Sequence, residues 1–294
     1  ATDTWIQKGD MPASRAAGFT SVVDGKIYLI GGYGGPQRVD AYDPSTDTWT
    51  VKSEMPTARR SLSTSALAGK IYAIGGAAAS SASYTSLEPF STVEEYDPAI
   101  DGWTTKSEMP TARVCHHANV VDGRIYIIGG SDASTDDNRS HVRTVEVYDP
   151  ATDTWTQEGD MQASRAAGFS SVVDGKIYLI GGYGASQRVD EYDPSTDTWA
   201  MKSEMPTGRR SLSTSALDGK IYAIGGYLPG VSGHLGVATV EVYDPATDTW
   251  TTAPDMPTGR FGPRTGVVHG KIYVIGGMDK WVGSAYRTVV EYDP

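Results

Sequence analysis

The sequence has a single cysteine, Cys115, so no disulfide can form within the chain. That fits a cytosolic protein and equally a disulfide-free bacterial secreted domain, and the compartment stays open. Phenylalanine is scarce, with four residues. No apolar run approaches the roughly 18 residues of a membrane-spanning helix, so no membrane partner is expected. Cations are outnumbered, 25 Lys and Arg against 36 Asp and Glu, and the net charge of −11 disfavours nucleic acid as a partner. No Ser-His-Asp order, phosphate-binding glycine loop or paired-cysteine motif is present. No catalytic residue, metal or cofactor is therefore expected.

What is abundant is glycine, 34 residues, and it is periodic. Trp5, Trp49, Trp103, Trp155, Trp199 and Trp250 are each followed, 27 residues later, by the second glycine of a Gly-Gly pair. The interval from each pair to the next tryptophan varies. One fixed half and one variable half describe a repeated unit with an adaptable loop. A period of 44 to 54 residues points to a propeller or solenoid.

One unit can be read physically. Arg15–Val23 is β-permissive and rich in small side chains. Asp24-Gly25 is a hairpin turn, because glycine accepts the positive φ such turns require. Lys26–Ile30 is an apolar strand closed by Gly31-Gly32. Val39–Tyr42 is a third strand, and Asp43-Pro44-Ser45-Thr46-Asp47 a turn. Trp49 begins a fourth strand that Met55-Pro56 ends. Small residues belong where wedge-shaped blades crowd an axis, and tryptophan where they diverge. The spacing therefore predicts an all-β fold of four-stranded antiparallel blades, in one domain spanning residues 1–294.

The order Arg, Asp-Gly-Lys-Ile-Tyr-x-Ile-Gly-Gly, Val-Glu-x-Tyr-Asp-Pro, Trp, Met-Pro resembles the Kelch repeat over the whole chain. The resemblance implies a six-bladed β-propeller. The ends fit closure: the chain finishes in Glu291-Tyr292-Asp293-Pro294 and begins Ala1-Thr2-Asp3-Thr4-Trp5, which joined match the internal Val242–Trp250 at every position but the first. The N-terminal strand should complete the last blade. Residues 1–76 and 151–226 differ at 11 positions, as recent duplication or symmetric design would leave them.

In such blades the first-to-second and third-to-fourth connections share one face, and the others share the opposite face. The turn acids fall on the first face and 14 of the 15 arginines on the second. Arg15, Arg59, Arg113, Arg165, Arg209 and Arg260 each lie ten residues after a repeat tryptophan and should ring the channel mouth. Arg60 and Arg210 double the ring in two blades. Such a ring suits an anion. Alternatively, the arginines bond carbonyls or the acids five residues upstream: Asp10, Glu54, Glu108, Asp160, Glu204 and Asp255. The third-strand acids Asp40, Glu94, Glu146, Asp190 and Glu241 repeat with the unit, which argues for a structural job.

The loops after Gly-Gly are short in two units and long in four. The long ones carry Tyr84, His141, His234, Trp281 and Tyr286, candidate recognition residues on the arginine face. Asp132, Asp136, Asp137 and His141 read better as a solvated acidic loop than as a metal site. His116 and His117 alternate on an inner strand, one toward the channel and one into a blade interface. The reading is a monomeric, non-catalytic binding propeller for an acidic peptide, a protein with an acidic segment, or a small anion. The resemblance leaves a sugar-acid epimerase or mutarotase as one alternative, with His116, His117 and Glu88 as irregular candidates, and the near-identical halves leave another, a designed or recently duplicated scaffold without an evolved ligand.

Overall fold

Alternating β-branched and aromatic residues between tight Asp-Gly turns commit each unit to an antiparallel meander. The computed structural model describes residues 2–16, 18–78, 88–132, 141–280 and 283–294. Among them the strands form six four-stranded antiparallel sheets. Blade one runs Phe19–Val23, Lys26–Ile30, Val39–Asp43 and Thr48–Lys52 from the axis outward. Blades two to five repeat that order, with inner strands Ser63–Leu67, His117–Val121, Phe169–Val173 and Ser213–Leu217. Blade six has inner strand Arg264–Val268. Its outer strand is Thr4–Lys8 from the N-terminus, paired with Val289–Asp293 in the register Thr4 to Asp293 and Lys8 to Val289. Each inner strand touches the inner strands of both neighbouring blades, so the fold is a closed six-bladed β-propeller.

The tryptophans sit on the outer strands and join the blades. Trp49 packs tilted against Tyr42 with ring centroids 5.0 Å apart, and its indole N–H donates to Gly9 O, on the segment leaving the blade-six outer strand, at 3.1 Å. The pattern recurs at Trp103, Trp155, Trp199 and Trp250. At the seam, Trp5 stacks on Tyr292 at 4.7 Å and donates to Pro254 O at 2.9 Å. The Gly-Gly corner explains its fixed position. Gly32 has φ 95°, and a Cβ there would lie 2.4 Å from Gly18 N, so side chains are excluded by both strain and space.

A second clasp is polar. The Tyr42 hydroxyl donates to Asp47 Oδ1 at 2.5 Å, and that oxygen accepts Gly9 N–H at 2.7 Å. Equivalent pairs are Tyr96 with Asp101, Tyr148 with Asp153 and Tyr243 with Asp248. Burial opposes ionisation of Asp47, but the tyrosine and backbone donors hold it below the ordinary carboxylate value. Hydrogen bonds from the tyrosines and from Ser53 and Ser107 lower Asp101 and Asp153 as well, and at Asp248 burial opposes but the Tyr243 and Ser203 donors, with Lys202, outweigh it. A carboxylate lowered by folding stabilises the fold above its unfolded pKa of about 4, and that contribution is lost as pH falls through the lower folded value. Thermal melts should therefore be flat in this respect down to about pH 4 and fall below it. Asp47→Asn combined with Asp101→Asn should blunt the acid fall, and an unchanged profile would count against these contacts.

Candidate functional site

The six repeat arginines do not ring the mouth. Arg15, Arg59, Arg113, Arg165, Arg209 and Arg260 are all buried, none more than 2% exposed. Their side chains fold inward beneath the Gly-Gly corners. Arg59 Nη1 donates to Gly75 O and Thr92 O, both at 2.8 Å, and Nη2 meets Glu94 Oε2 at 2.7 Å. Arg15 pairs with Asp40 at 2.5 Å, Arg113 with Glu146 at 2.9 Å, Arg209 with Glu241 at 2.8 Å, and Arg165 with Asp190. The partners are thus the third-strand acids and not Asp10, Glu54, Glu108, Asp160, Glu204 and Asp255, which stand exposed. A buried carboxylate and guanidinium attract more strongly than either would attract a ligand across water. Blade six departs from this. Val290 occupies the acid's place, and Arg260 is held by Gly276 O, Thr288 O and the Thr288 hydroxyl. Burial draws the Arg260 pKa down to about 10, with Tyr286 and Asp10 opposing the fall.

The doubled arginines brace aromatics. Arg60 is fully buried and lies over the Tyr33 ring at 4.6 Å, also donating to the Tyr33 hydroxyl. Arg210 lies over Tyr183 at the same 4.6 Å distance. Tyr286 is half-buried with the Arg260 guanidinium 5.3 Å from its centroid. His141 is half-buried, 6.4 Å from the Tyr183 ring, and His234 is exposed beside Tyr227 at 4.9 Å. Tyr84, Trp281, Asp136 and Asp137 lie outside the described residues. Asp132 is exposed. Among the described residues, no three His, Cys, Asp or Glu side chains are arranged to hold a metal ion.

These loops surround a cavity of about 310 Å³ that descends into the channel. Ser131, His141, Tyr183 and Met278 line its upper part, and Phe19, His117, Phe169 and Arg264 its lower part. Between them, four backbone hydrogen bonds link neighbouring blades: Cys115 to Ser61, Ala167 to Cys115, Ser211 to Ala167 and Gly262 to Ser211, at 2.9–3.3 Å. Ser61, Cys115, Ala167 and Ser211 all take positive φ, between 49° and 54°. That strain turns each chain sharply into its inner strand.

His117 faces this cavity, and His116 packs between the Gly-Gly corners of blades two and three. Burial lowers His117 to about 3, aided by the Arg165 charge, and holds His116 well below its ordinary value, with Arg113, His117 and Arg59 adding to the effect. Both are neutral near pH 7 and poor proton acceptors there. Glu88 is exposed. Arg264 is the cavity residue that periodic reasoning passed over. Its signal was a charge at the first position of an inner strand, where the other blades have Phe19, Ser63, His117, Phe169 and Ser213.

Comparison with known proteins matches this geometry. The KLHDC2/KLHL20/DRC7 Kelch-repeats domain model matches residues 42–226, and the Kelch motif matches residues 15–56, 208–257 and 259–294. Kelch-like protein terF of Aspergillus terreus is 32% identical over 64% of this chain and 32% of its own length. Kelch-like protein 26 of Danio rerio is 29% identical over 61% of this chain and 29% of its own. For Kelch repeat and BTB domain-containing protein 12 of Homo sapiens the values are 27%, 63% and 25%. The match thus spans about a third or less of the length of these relatives. The solved structure of YjhT superposes with a TM-score of 0.82 over 95% of both chains at 17% identity, a likeness of fold alone. The six clasped blades, the Gly-Gly corners and the matched models together show that this chain belongs to the Kelch-repeat family.

Proposed function

We propose that this chain is a non-catalytic binding propeller whose loop face docks a protein partner through a short anionic segment. The observation that carries this reading is the apolar tip of one loop. Val231 and Leu235 are 48% and 56% exposed on the same blade-five loop, and Leu235 bridges to Lys280 on the blade-six loop. Exposed apolar side chains rimmed by polar groups favour a partner. The Kelch-like relatives support a protein-interaction propeller. With the ring arginines buried, the anionic part of the reading rests on the exposed Arg143, Lys280 and Arg287 of the same face. The exposed acids Asp10, Glu54, Glu108, Asp160, Glu204 and Asp255 favour a short anionic segment over a broad acidic surface.

Selection of a displayed random-peptide library on the propeller tests this. Enriched peptides should be rich in Asp and Glu and should bind less tightly as salt rises. Val231→Ser combined with Leu235→Ser should weaken them about tenfold. Peptides indifferent to both salt and substitution, or no enrichment at all, would remove the reading.

A further inference from the structure

The inner strands begin at Phe19, Ser63, His117, Phe169, Ser213 and Arg264, and the side chain at blade six is the only permanent cation among these six. Arg264 is 8% exposed. Its guanidinium lies 4.4 Å from the Phe19 centroid and 4.9 Å from that of Phe169. The two phenyl rings come from opposite blades and meet across the axis at 6.4 Å. Nε donates to Gly18 O, and Nη1 to Pro263 O at 2.8 Å. A guanidinium has five N–H donors, so these carbonyls use two. Among the described residues, no carboxylate pairs with Arg264, in contrast to Arg15, Arg59, Arg113, Arg165 and Arg209. Burial lowers its pKa to about 10, with Cys115 opposing, which leaves it charged near pH 7. A desolvated cation without a counter-ion is costly, and an arriving anion would relieve that cost.

The rest of the wall limits what that anion can be. Thr20 donates to Thr265 O at 2.7 Å, Thr265 to Thr214 O at 3.1 Å, Thr214 to Ser170 O at 3.0 Å, and Ser170 to Asn119 Oδ1 at 2.8 Å. These hydroxyl protons are spent linking the blades and are not offered to a ligand. His117 Nε2 and both ring nitrogens of His116 are buried without a hydrogen-bond partner, and both residues line the cavity. Val114, Ala166, Phe261 and Met278 make much of the upper wall apolar, beside Ser131, His141 and Tyr183. A single cation beneath a mostly apolar shaft suits one negative charge on a largely apolar body better than a multiply charged phosphate.

We propose that the channel cavity is a binding site for a small monocarboxylate with an apolar body, its carboxylate held by the remaining N–H groups of Arg264. The site lies below the loop face and does not depend on the partner-docking reading.

Cys115 lines the cavity and is the chain's one cysteine, so its alkylation reports occupancy. Benzoate should slow its reaction with iodoacetamide, and neutral benzamide should not. Arg264→Met should weaken benzoate about tenfold or more, and Arg264→Lys should weaken it less. In the wild-type protein, anionic iodoacetate should gain on iodoacetamide relative to Arg264→Met. That ratio separates attraction of the anion from any change in thiol reactivity. Val231→Ser with Leu235→Ser should leave benzoate binding intact, which distinguishes this site from the loop face. If Arg264→Met does not fold, the benzoate and benzamide comparison on the wild-type protein decides the matter. Equal protection by both, unchanged benzoate affinity in a folded Arg264→Met, or no protection by acetate, benzoate or phenylacetate would overturn the proposal.

Discussion

Removal of residues 1–12 should lower the melting temperature by more than about 10 °C or abolish cooperative unfolding. The segment supplies the fourth strand of blade six, in register with Val289–Asp293. It also supplies the Trp5 stack on Tyr292, the Asp3 acceptor for the Tyr292 hydroxyl, and Met11, which is fully buried. Met11 exchanges two hydrogen bonds with Arg287, one to its carbonyl and one from its side chain, both at 2.8 Å. Gly9 accepts the indole of Trp49, so blade one loses its clasp as well. Burial of Met11 alone is worth about 1.5–3 kcal/mol. Adding the strand and both clasps brings the loss near the 5–15 kcal/mol that typically separates folded from unfolded chains. Adding the deleted peptide back should restore part of the loss. A melt within a degree or two of the intact chain would show that the seam contributes little.

Arg209→Met should cost about 3–5 kcal/mol, because it leaves Glu241 buried without its cation. Glu241 is 2% exposed. The substitution also strands the carbonyls of Ala223, Gly225 and Thr239, all of which Arg209 bonds. The sixth blade separates these two effects. Arg260 bonds the equivalent carbonyl of Gly276 and that of Thr288, but its third strand has Val290. Arg260→Met should therefore cost distinctly less than Arg209→Met, the difference being the isolated carboxylate. Arg209→Met with Glu241→Val, which copies the Val290 arrangement, should regain at least half of the lost melting temperature. Equal losses for the two single substitutions, or no recovery in the double, would show that the ion pair is not what the arginine supports.

The architecture was legible because the residues that encode it obey fixed steric rules. A Gly-Gly corner that excludes a Cβ, and a tryptophan that fills the diverging outer edge, recur at one spacing. The seam was legible because Tyr292 and Asp3 are halves of one turn. The arginines were misplaced because sequence gives the position of a side chain along a strand but not its direction at a corner. Arg59 begins near the mouth, yet its reach carries the guanidinium under Gly75 to Glu94. Asp40 and Glu94 were marked as structural by their repetition, but their partners lay 25 and 35 residues earlier, beyond any local pattern. Arg210 over Tyr183 joins residues of adjacent blades, and neither position carries a periodic clue to the other. Arg264 was hidden because it breaks the repeat at one position only.

That break has a geometric consequence. Phe19 faces Phe169, and Ser63 and Ser213 are likewise half a turn apart, so the bore is nearly unchanged by rotation through 180° about its axis. His117 and Arg264 occupy the remaining pair and differ. An asymmetric molecule entering from above would meet two similar poses, and the unlike sides of blades three and six, at Cys115 and Gly262, His117 and Arg264, and Ala118 and Thr265, would choose between them.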